Sequence, residues 1–167
     1  MMEIRTARLV LRRAVPADLD AFHPILSSPE AMRYWATLPH ASMAVTEKWF
    51  ADQFFSGLDN RDEWVIERDG RVIGNIGIWN MPEFGFILHP DAWGQGIGIE
   101  AAKAFLDYAF ATHPVEAIKA DVDPRNAASL NLLQKLGFSV TGTAENTFLL
   151  GDEWCHSVYL ALPRPTA

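Results

Sequence analysis

Three glycines stand at alternate positions, 94, 96 and 98, between a β-rich segment and a segment with helical periodicity. Glycine has no Cβ, so such a loop can turn sharply and bring its backbone close to a ligand. The unpaired N–H groups and the dipole at the start of the following helix favour an anion. This order of strand, glycine loop and helix therefore indicates a phosphate or pyrophosphate site, with a simple strand-to-helix turn as the alternative.

Two familiar nucleotide motifs do not fit this loop. No Gly-Lys-Ser/Thr follows the glycines, which excludes a P-loop. The dinucleotide fingerprint G-x-G-x-x-G fails because Ile99 stands where its last glycine is needed. The phosphate ligand thus belongs to another class of site.

The flanking segments must position this loop. Asp69-Gly70 joins two β-rich runs, which predicts a hairpin with a type I′ turn. A strand over residues 83–88 precedes the loop, and Gly85 inside it suggests a bulge or a close backbone approach. The other expected strands cover residues 8–12, 118–122, 138–143 and 156–162, and the other expected helices begin at residues 16, 29 (ending near 35), 45, 99 and 126. This order predicts a mixed α/β domain.

Composition narrows the class of protein. The chain has 167 residues, a formal net charge of −7 and one cysteine. We expect a single domain over residues 1–167, without an internal disulfide and located in the cytoplasm. The acidic balance argues against nucleic acid or an anionic membrane as a partner and leaves room for a cationic substrate. The five histidines show no metal-ligand spacing, so no metal site is expected.

Five ordered segments together resemble one known family. They cover residues 6–12, 32–35, 86–101, 126–129 and 134–138. The chain is identified on these segments as similar to the GNAT superfamily of acyl-CoA-dependent N-acyltransferases, in its RimJ/RimL-like branch. The resemblance implies the GNAT fold: a mixed, mostly antiparallel sheet of about six or seven strands with helices on both faces.

The resemblance also implies acetyl-CoA as the acyl donor. Its pyrophosphate would be held by main-chain N–H groups of the glycine loop, and its pantetheine arm by the strand before that loop. The positions that correspond to this cofactor site are Phe86, Ile87, Leu88, Trp93, Gly94, Gln95, Gly96, Ile97, Gly98, Ile99, Asn126 and Ser129. Trp93 replaces the Gln or Arg of the wider superfamily.

The catalytic groups implied by the resemblance are Glu83 as general base and Ser129 as general acid. Glu100 competes with Glu83, although a helix-dipole role suits it better. Many GNAT enzymes carry a tyrosine acid where this chain has Leu133. The acceptor amine would contact Trp35, Glu83 and Trp154. His89 is expected to be structural.

The resulting hypothesis is an N-acetyltransferase in which a primary amine attacks acetyl-CoA directly in a ternary complex. The acceptor is either a peptide N-terminus or a small-molecule amine, and the protein a monomer or a homodimer. The alternative is a non-catalytic acyl-CoA-binding domain, which the absent tyrosine favours.

Overall fold

The computed structural model describes residues 2–166. Its strands are β1 (Glu3–Arg5), β2 (Val10–Arg12), β3 (Asp62–Arg68), β4 (Arg71–Asn80), β5 (Glu83–Leu88), β6 (Ala117–Val122), β7 (Ser139–Leu150) and β8 (Glu153–Pro163). Its helices are α1 (Leu19–Leu26), α2 (Met43–Phe54), α3 (Ile97–Thr112) and α4 (Ala127–Lys135).

The eight strands form one sheet in the order β1-β2-β3-β4-β5-β6-β8-β7. All neighbouring strands are antiparallel except β5 and β6, which are parallel. The α3 crossover between β5 and β6 is what permits a parallel pair, since parallel strands need a long connection. The glycine loop is thereby placed at the carboxyl end of β5.

The β3–β4 hairpin follows the sequence prediction. Asp69 and Gly70 have φ values of 51° and 76°, so both central residues of the turn are left-handed. A type I′ turn requires this, and its twist matches that of the flanking strands. The turn sets the β3–β4 register, which places Glu63 opposite Gly77 near the far end of the hairpin.

Each face of the sheet is covered by two helices. On one face α3 and α4 pack over a core that includes Trp64, Phe84 and Phe105. On the other face α1 and α2 pack over a smaller core that includes Phe22, Val65 and Ile87. Alternate residues of β5 thus serve different cores, as the period of a strand requires.

The strand count and several strand bounds differ from expectation. Residues 2–166 form eight strands rather than six or seven, because a short β1 precedes the expected first strand, which here begins at Val10. The closing hairpin is also longer than expected, with strands from Ser139 and from Glu153. Register shifts between Val140 and Gly142 and between Ala144 and Phe148 interrupt the alternation of side chains, which hid the full length of β7 in the sequence.

Three further expectations near the loop need correction. Residues 29–35 form a run of turns rather than a helix. The α3 helix begins at Ile97 instead of Ile99, because Gly96 already has the left-handed φ of 74° that ends the loop. At Gly85 there is no bulge: the register shift lies on β4, and a Cβ at Gly85 would meet only the Trp79 side chain, at 3.7 Å.

Candidate active site

The glycine loop forms a turn that ends at the N-terminus of a long helix. Gly94 and Gly96 have φ values of 70° and 74°, which a glycine adopts without strain. The first α3 backbone bond runs from the Glu100 N–H to the Gly96 carbonyl, at 3.2 Å. The N–H groups of the preceding helical residues therefore have no intrahelical acceptor and are suited to bind an anion.

A groove with a volume of about 650 Å³ starts at this loop. It passes between the end of β5 and the first turns of α4, and the turns at residues 30–35 cover it. Its lining residues are Glu30, Ala31, Arg33, Tyr34, Trp35, Phe86, Ile87, Leu88, Ala92, Trp93, Gly94, Gly96, Ile97, Gly98, Ile99, Asn126, Ala128, Ser129, Asn131, Leu132 and Lys135. The groove is long and mostly apolar, with an anion site at one end.

Divergence of β5 and β6 opens the groove. In the described residues the two strands share one register pair, Glu83 and Lys119, and the Lys119 N–H donates to the Pro82 carbonyl at 3.0 Å. The main-chain N–H and C=O groups of successive residues point to opposite edges of a strand. Those of Phe84 and Phe86 therefore point to the same edge as the Pro82 carbonyl. The Phe86 groups lie beyond the Glu83–Lys119 pair and face the gap, where an extended ligand can bind them.

The cofactor residues predicted from sequence come together around the groove, with one exception. Eleven of the twelve line it, but Gln95 does not. The Gln95 side chain donates to the Asp91 carbonyl at 2.7 Å and accepts from Arg68 at 2.7 Å. Its side chain thus braces the loop from outside. Trp93 donates its indole N–H to the Leu88 carbonyl at 3.1 Å, which fixes the start of the loop.

Asn126 and Ser129 lie at the N-terminus of α4. The Asn126 Oδ1 accepts the backbone N–H of Ser129 at 3.2 Å, so Asn126 caps the helix as its residue type predicts. Ser129 is half-buried on the groove wall. Because the helix cap is Asn126, the Ser129 hydroxyl is not needed for it.

Glu83 lies where β5 and β6 still pair, at the closed end of the split between these two strands. It is outside the groove lining. It is half-buried, and burial raises the pKa of its carboxyl. The nearby Asp121 raises this pKa further, and Lys119 lowers it. A carboxylate with a raised pKa is a better proton acceptor at neutral pH than an ordinary one.

The residues predicted to contact the acceptor amine do not lie together in the structure. Trp35 lines the groove, whereas Trp154 is 54% exposed on the β7–β8 hairpin and does not. The neighbouring Glu153 binds Arg125 at 2.6 Å, and this guanidinium lies 5.7 Å from the Tyr34 ring. The hairpin therefore reaches the groove only indirectly.

Sequence reasoning missed nine lining residues. Four of them, Ala128, Asn131, Leu132 and Lys135, share one face of α4, and their mutual spacing of three and four residues would have identified them as a group. Of the other five, Glu30, Ala31, Arg33 and Tyr34 lie on the irregular turns, where no periodicity marks a face, and Ala92 lies in the short turn before the loop.

Glu100 is occupied by structural contacts. Its carboxylate accepts from the Thr6 hydroxyl at 2.6 Å and from the Arg8 backbone and side chain at 2.9 and 2.7 Å. Burial raises the pKa of Glu100, but these hydrogen bonds outweigh it and the pKa is lowered. Arg8 also donates to the Gln95 carbonyl at 2.7 Å, so Glu100 and Arg8 support the loop.

Other candidate groups have structural surroundings. His89 Nδ1 accepts the Asp91 N–H at 3.0 Å in the turn before the loop. Cys155 is 2% exposed and unpaired. Residues 2–166 contain no cluster of His, Cys, Asp or Glu placed to hold a metal ion. Within the same residues no helix is long and apolar enough to cross a membrane.

The model of the acetyltransferase (GNAT) domain family matches residues 8–139. The chain belongs to this family. It is a GNAT N-acetyltransferase, which transfers an acetyl group from acetyl-CoA to an amine. The phosphate site and the apolar groove fit the two parts of that donor.

Individual relatives extend this result. The chain is 30% identical over 152 residues to an uncharacterized N-acetyltransferase p20 of Bacillus licheniformis, covering 85% of each. It is 25% identical to the spermidine N(1)-acetyltransferase of Escherichia coli, covering 91% of this chain and 84% of that one. The structure of RimL, a ribosomal-protein acetyltransferase solved with coenzyme A, superposes with a TM-score of 0.84 at 16% identity and covers 97% and 98% of the two chains.

Proposed function

We propose that this acetyltransferase belongs to the RimJ/RimL-like branch, acts in the cytoplasm and transfers the acetyl group directly to a primary amine in a ternary complex. One observation carries the mechanism: a single groove joins the anion-binding loop at Gly94–Gly98 to the split between β5 and β6. A donor held by its pyrophosphate at one end would present its thioester near the other end.

The loop would hold the pyrophosphate through the N–H groups at the start of α3. The pantetheine arm would extend along β5, bonded by the main-chain groups that face the gap. The Phe86 N–H is the donor we assign to the thioester carbonyl oxygen, whose negative charge increases as the amine attacks. A fixed N–H in such a position contributes about 3 kcal/mol to lowering the barrier.

Glu83 is the proposed general base. An amine attacks only when its nitrogen lone pair is free, so a proton must leave the ammonium form or the attacking nitrogen. The Glu83 carboxylate would accept this proton through water from its position at the closed end of the split. Its raised pKa suits that task near neutral pH.

Ser129 is the proposed general acid. When the new C–N bond forms and the C–S bond breaks, the leaving thiolate needs a proton. The Ser129 hydroxyl lies on the groove wall, on the α4 side, and would supply it, then recover a proton from solvent. Trp35 would pack against the acceptor from the covering turns.

Two measurements test this function. Acetyl-CoA, compared with ATP and NAD, should raise the melting temperature by roughly 5–10 °C at saturation. Release of free CoA thiol should then depend on an added primary amine. An absent shift with acetyl-CoA would exclude the proposed donor site.

A non-catalytic acyl-CoA-binding protein is the second candidate. It is favoured by Leu133, which is 2% exposed at the position of the usual tyrosine acid, and by the place of Glu83 outside the groove lining. The two candidates differ in one result: a binding protein would shift its melting temperature with acetyl-CoA and release no CoA with any amine.

A further inference from the structure

An open hollow lies over Gly85, in the middle of β5. Gly85 shares the face of its strand with Ile87, which belongs to the core under α1 and α2. Apart from its chain neighbours, a Cβ at Gly85 would have only one described heavy atom within 4 Å, the Trp79 Cδ1 at 3.7 Å. The backbone of Gly85 is also outside the left-handed region. Neither conformation nor packing therefore requires a glycine here.

Two glycines of the neighbouring strand β4 differ from Gly85 in this respect. A Cβ at Gly74 would collide with the Ile87 carbonyl oxygen, and one at Gly77 would collide with the Asp62 carbonyl oxygen. Close approach of another backbone thus explains both. Glycine weakens a strand, so Gly85 lowers the stability of β5 without a packing reason. What Gly85 provides is free space beside the split between β5 and β6.

Trp79 forms the wall of this hollow on the β4 side. The register between β4 and β5 shifts at Trp79, which is therefore the extra residue of a β-bulge. Bulges redirect a side chain and are frequent beside active sites. The Trp79 side chain flanks the free space at Gly85 and is 45% exposed. A large part of the indole is thus accessible beside the hollow.

The backbone next to Trp79 is held in place by Asn60. The Met81 N–H donates to the Asn60 carbonyl at 2.8 Å, and the Asn60 Nδ2 donates to Asn80 Oδ1 at 2.7 Å. These two hydrogen bonds fix the chain directly after the bulge. A wall that is fixed in advance loses little entropy when a ligand binds against it.

The hollow lies beside the proposed chemistry. Glu83 is two residues before Gly85 on β5 and shares its face. Across the split, Lys119 is the register partner of Glu83, so Asp121 lies two residues further along the parallel strand β6, on the same face. The hollow is therefore bordered by carboxyl groups on the side of the split and by an aromatic ring on the side of β4.

We propose that Trp79 determines acceptor specificity by stacking, above Gly85, against an aromatic ring that the acceptor carries two carbons from its primary amine. This rests on the proposed function, because the reacting amine is placed in the split beside Glu83. Neighbouring strands are about 5 Å apart, and a two-carbon linker with its ring spans that distance from the split to the wall on β4. Aromatic rings attract each other in offset or edge-to-face arrangements. Both a free arylalkylamine and an aromatic residue at a peptide N-terminus have this spacing.

The test compares 2-phenylethylamine with butylamine, which has no ring, as acceptors that release CoA. The wild-type protein should use 2-phenylethylamine with a kcat/KM about tenfold higher. Phenylalaninamide against alaninamide repeats the comparison for a peptide-like acceptor, and the larger ratio identifies the source of the ring. Trp79→Ala should reduce the larger ratio to about twofold, whereas Trp79→Phe should retain most of it. Val140→Ala, which truncates another exposed apolar residue, should leave the ratio as it is.

Equal use within both pairs of amines by the wild-type protein would overturn the role of Trp79. So would a ratio that is unchanged in Trp79→Ala. If no amine releases CoA, calorimetry with 2-phenylethylamine and the CoA-loaded protein decides: binding that Trp79→Ala weakens supports the role, and no binding to wild type refutes it. A failure to bind acetyl-CoA would instead count against the donor site, so the two failures are distinguishable.

A substitution in the floor of the hollow provides a second check. Gly85→Ala adds a methyl group whose nearest contact, the Trp79 Cδ1, is at an ordinary 3.7 Å. The fold should accept this change, with a melting temperature no lower than that of the wild type. The preference for the aromatic amine should fall, because the methyl group fills the space where the ring would lie. An unchanged preference would show that no ring lies over Gly85 and would overturn the proposal.

Discussion

Glu83 and Lys119 lie opposite each other at the single register pair between β5 and β6 in the described residues. The strands separate beyond this pair, so it marks the closed end of the split between them. The same Lys119 and the neighbouring Asp121 act on the Glu83 carboxyl in opposite directions, and this makes the proposed base testable by charge.

The pH dependence of the reaction should follow Glu83. A base must be deprotonated, so the rate should rise with pH through the raised pKa of this carboxyl. Asp121→Asn removes a neighbouring negative charge and should move the rise to lower pH. Lys119→Gln removes a neighbouring positive charge and should move the rise to higher pH. Profiles of kcat/KM for the three proteins would measure this, and identical profiles would exclude Glu83 as the base.

Replacing Ser129 separates catalysis from helix capping. Ser129→Ala should lower kcat about 10²-fold, the lower range for a general acid, with little change in melting temperature. The backbone N–H that Asn126 caps remains in this variant. Asn126→Ala should instead cost about 1 kcal/mol of stability. The exposed Ser139→Ala serves as a control, and a fall in stability of Ser129→Ala equal to that of Asn126→Ala would assign Ser129 a structural role.

The conformation of Gly96 should matter for acetyl-CoA affinity. Gly96→Ala introduces a Cβ at a φ of 74°, 3.4 Å from Arg8 Nη2, at the anion site. Strain and the displaced backbone should weaken acetyl-CoA binding about tenfold, as measured by calorimetry. Gly151→Ala is the matched control, because its φ of 62° carries similar strain with open space around it. Equal affinities of both variants would mean that the loop does not hold the donor.

Glu100→Gln should destabilise the fold by about 1 kcal/mol, since hydrogen bonds from Thr6 and Arg8 lose a charged acceptor. The pKa of Glu100 is lowered in the folded state, so its contribution is present above the ordinary carboxyl range and is lost as the pH falls through the lowered pKa. Urea unfolding at several pH values would show the difference from wild type shrinking in acid. Glu3→Gln, in the exposed pair with Arg5, should change stability little.

Glu63 should give stability the opposite pH dependence. Burial raises its pKa from the ordinary value of 4.5 to about 8, so the folded state retains a proton that the unfolded chain releases between these values. Wild-type stability should therefore decline as the pH rises through this window. Glu63→Gln does not titrate and should melt several degrees higher than wild type in mildly alkaline buffer, with no such gain in acid. A difference in melting temperature between the two proteins that stays constant across this pH range would contradict the raised pKa.

Local rules predicted the parts of the fold that depend on local chemistry. Asp69-Gly70 specified its turn, and Asn126 specified a helix cap through its side chain. The glycine loop could be predicted because its function needs left-handed backbone at Gly94 and Gly96. The covering turns at residues 30–35 could not, because their positions depend on packing against α1 and α2 rather than on a repeat in the sequence.

The buried Glu63–Asn75 pair, in which the Asn75 Nδ2 donates to Glu63 Oε2 at 3.1 Å, shows a second limit of sequence reasoning. Glu63 lies between Asp62 and Trp64 in a segment that also contains Arg61, and a carboxyl there is typical of a solvated strand. Its burial follows from the β3–β4 register, which sets it against Gly77. Register between strands is a property of the folded sheet, so no local pattern identified the pair.

The one register pair that residues 2–166 show between β5 and β6 also divides the sheet mechanically. The five strands on one side and the three on the other are each laddered internally, whereas this boundary depends on α3, on side-chain packing and on few backbone bonds. A bound donor would supply the missing bonds along the seam. The bound donor would thus couple the two half-sheets. Their opening, and with it the exchange of their amide hydrogens, would become one cooperative event.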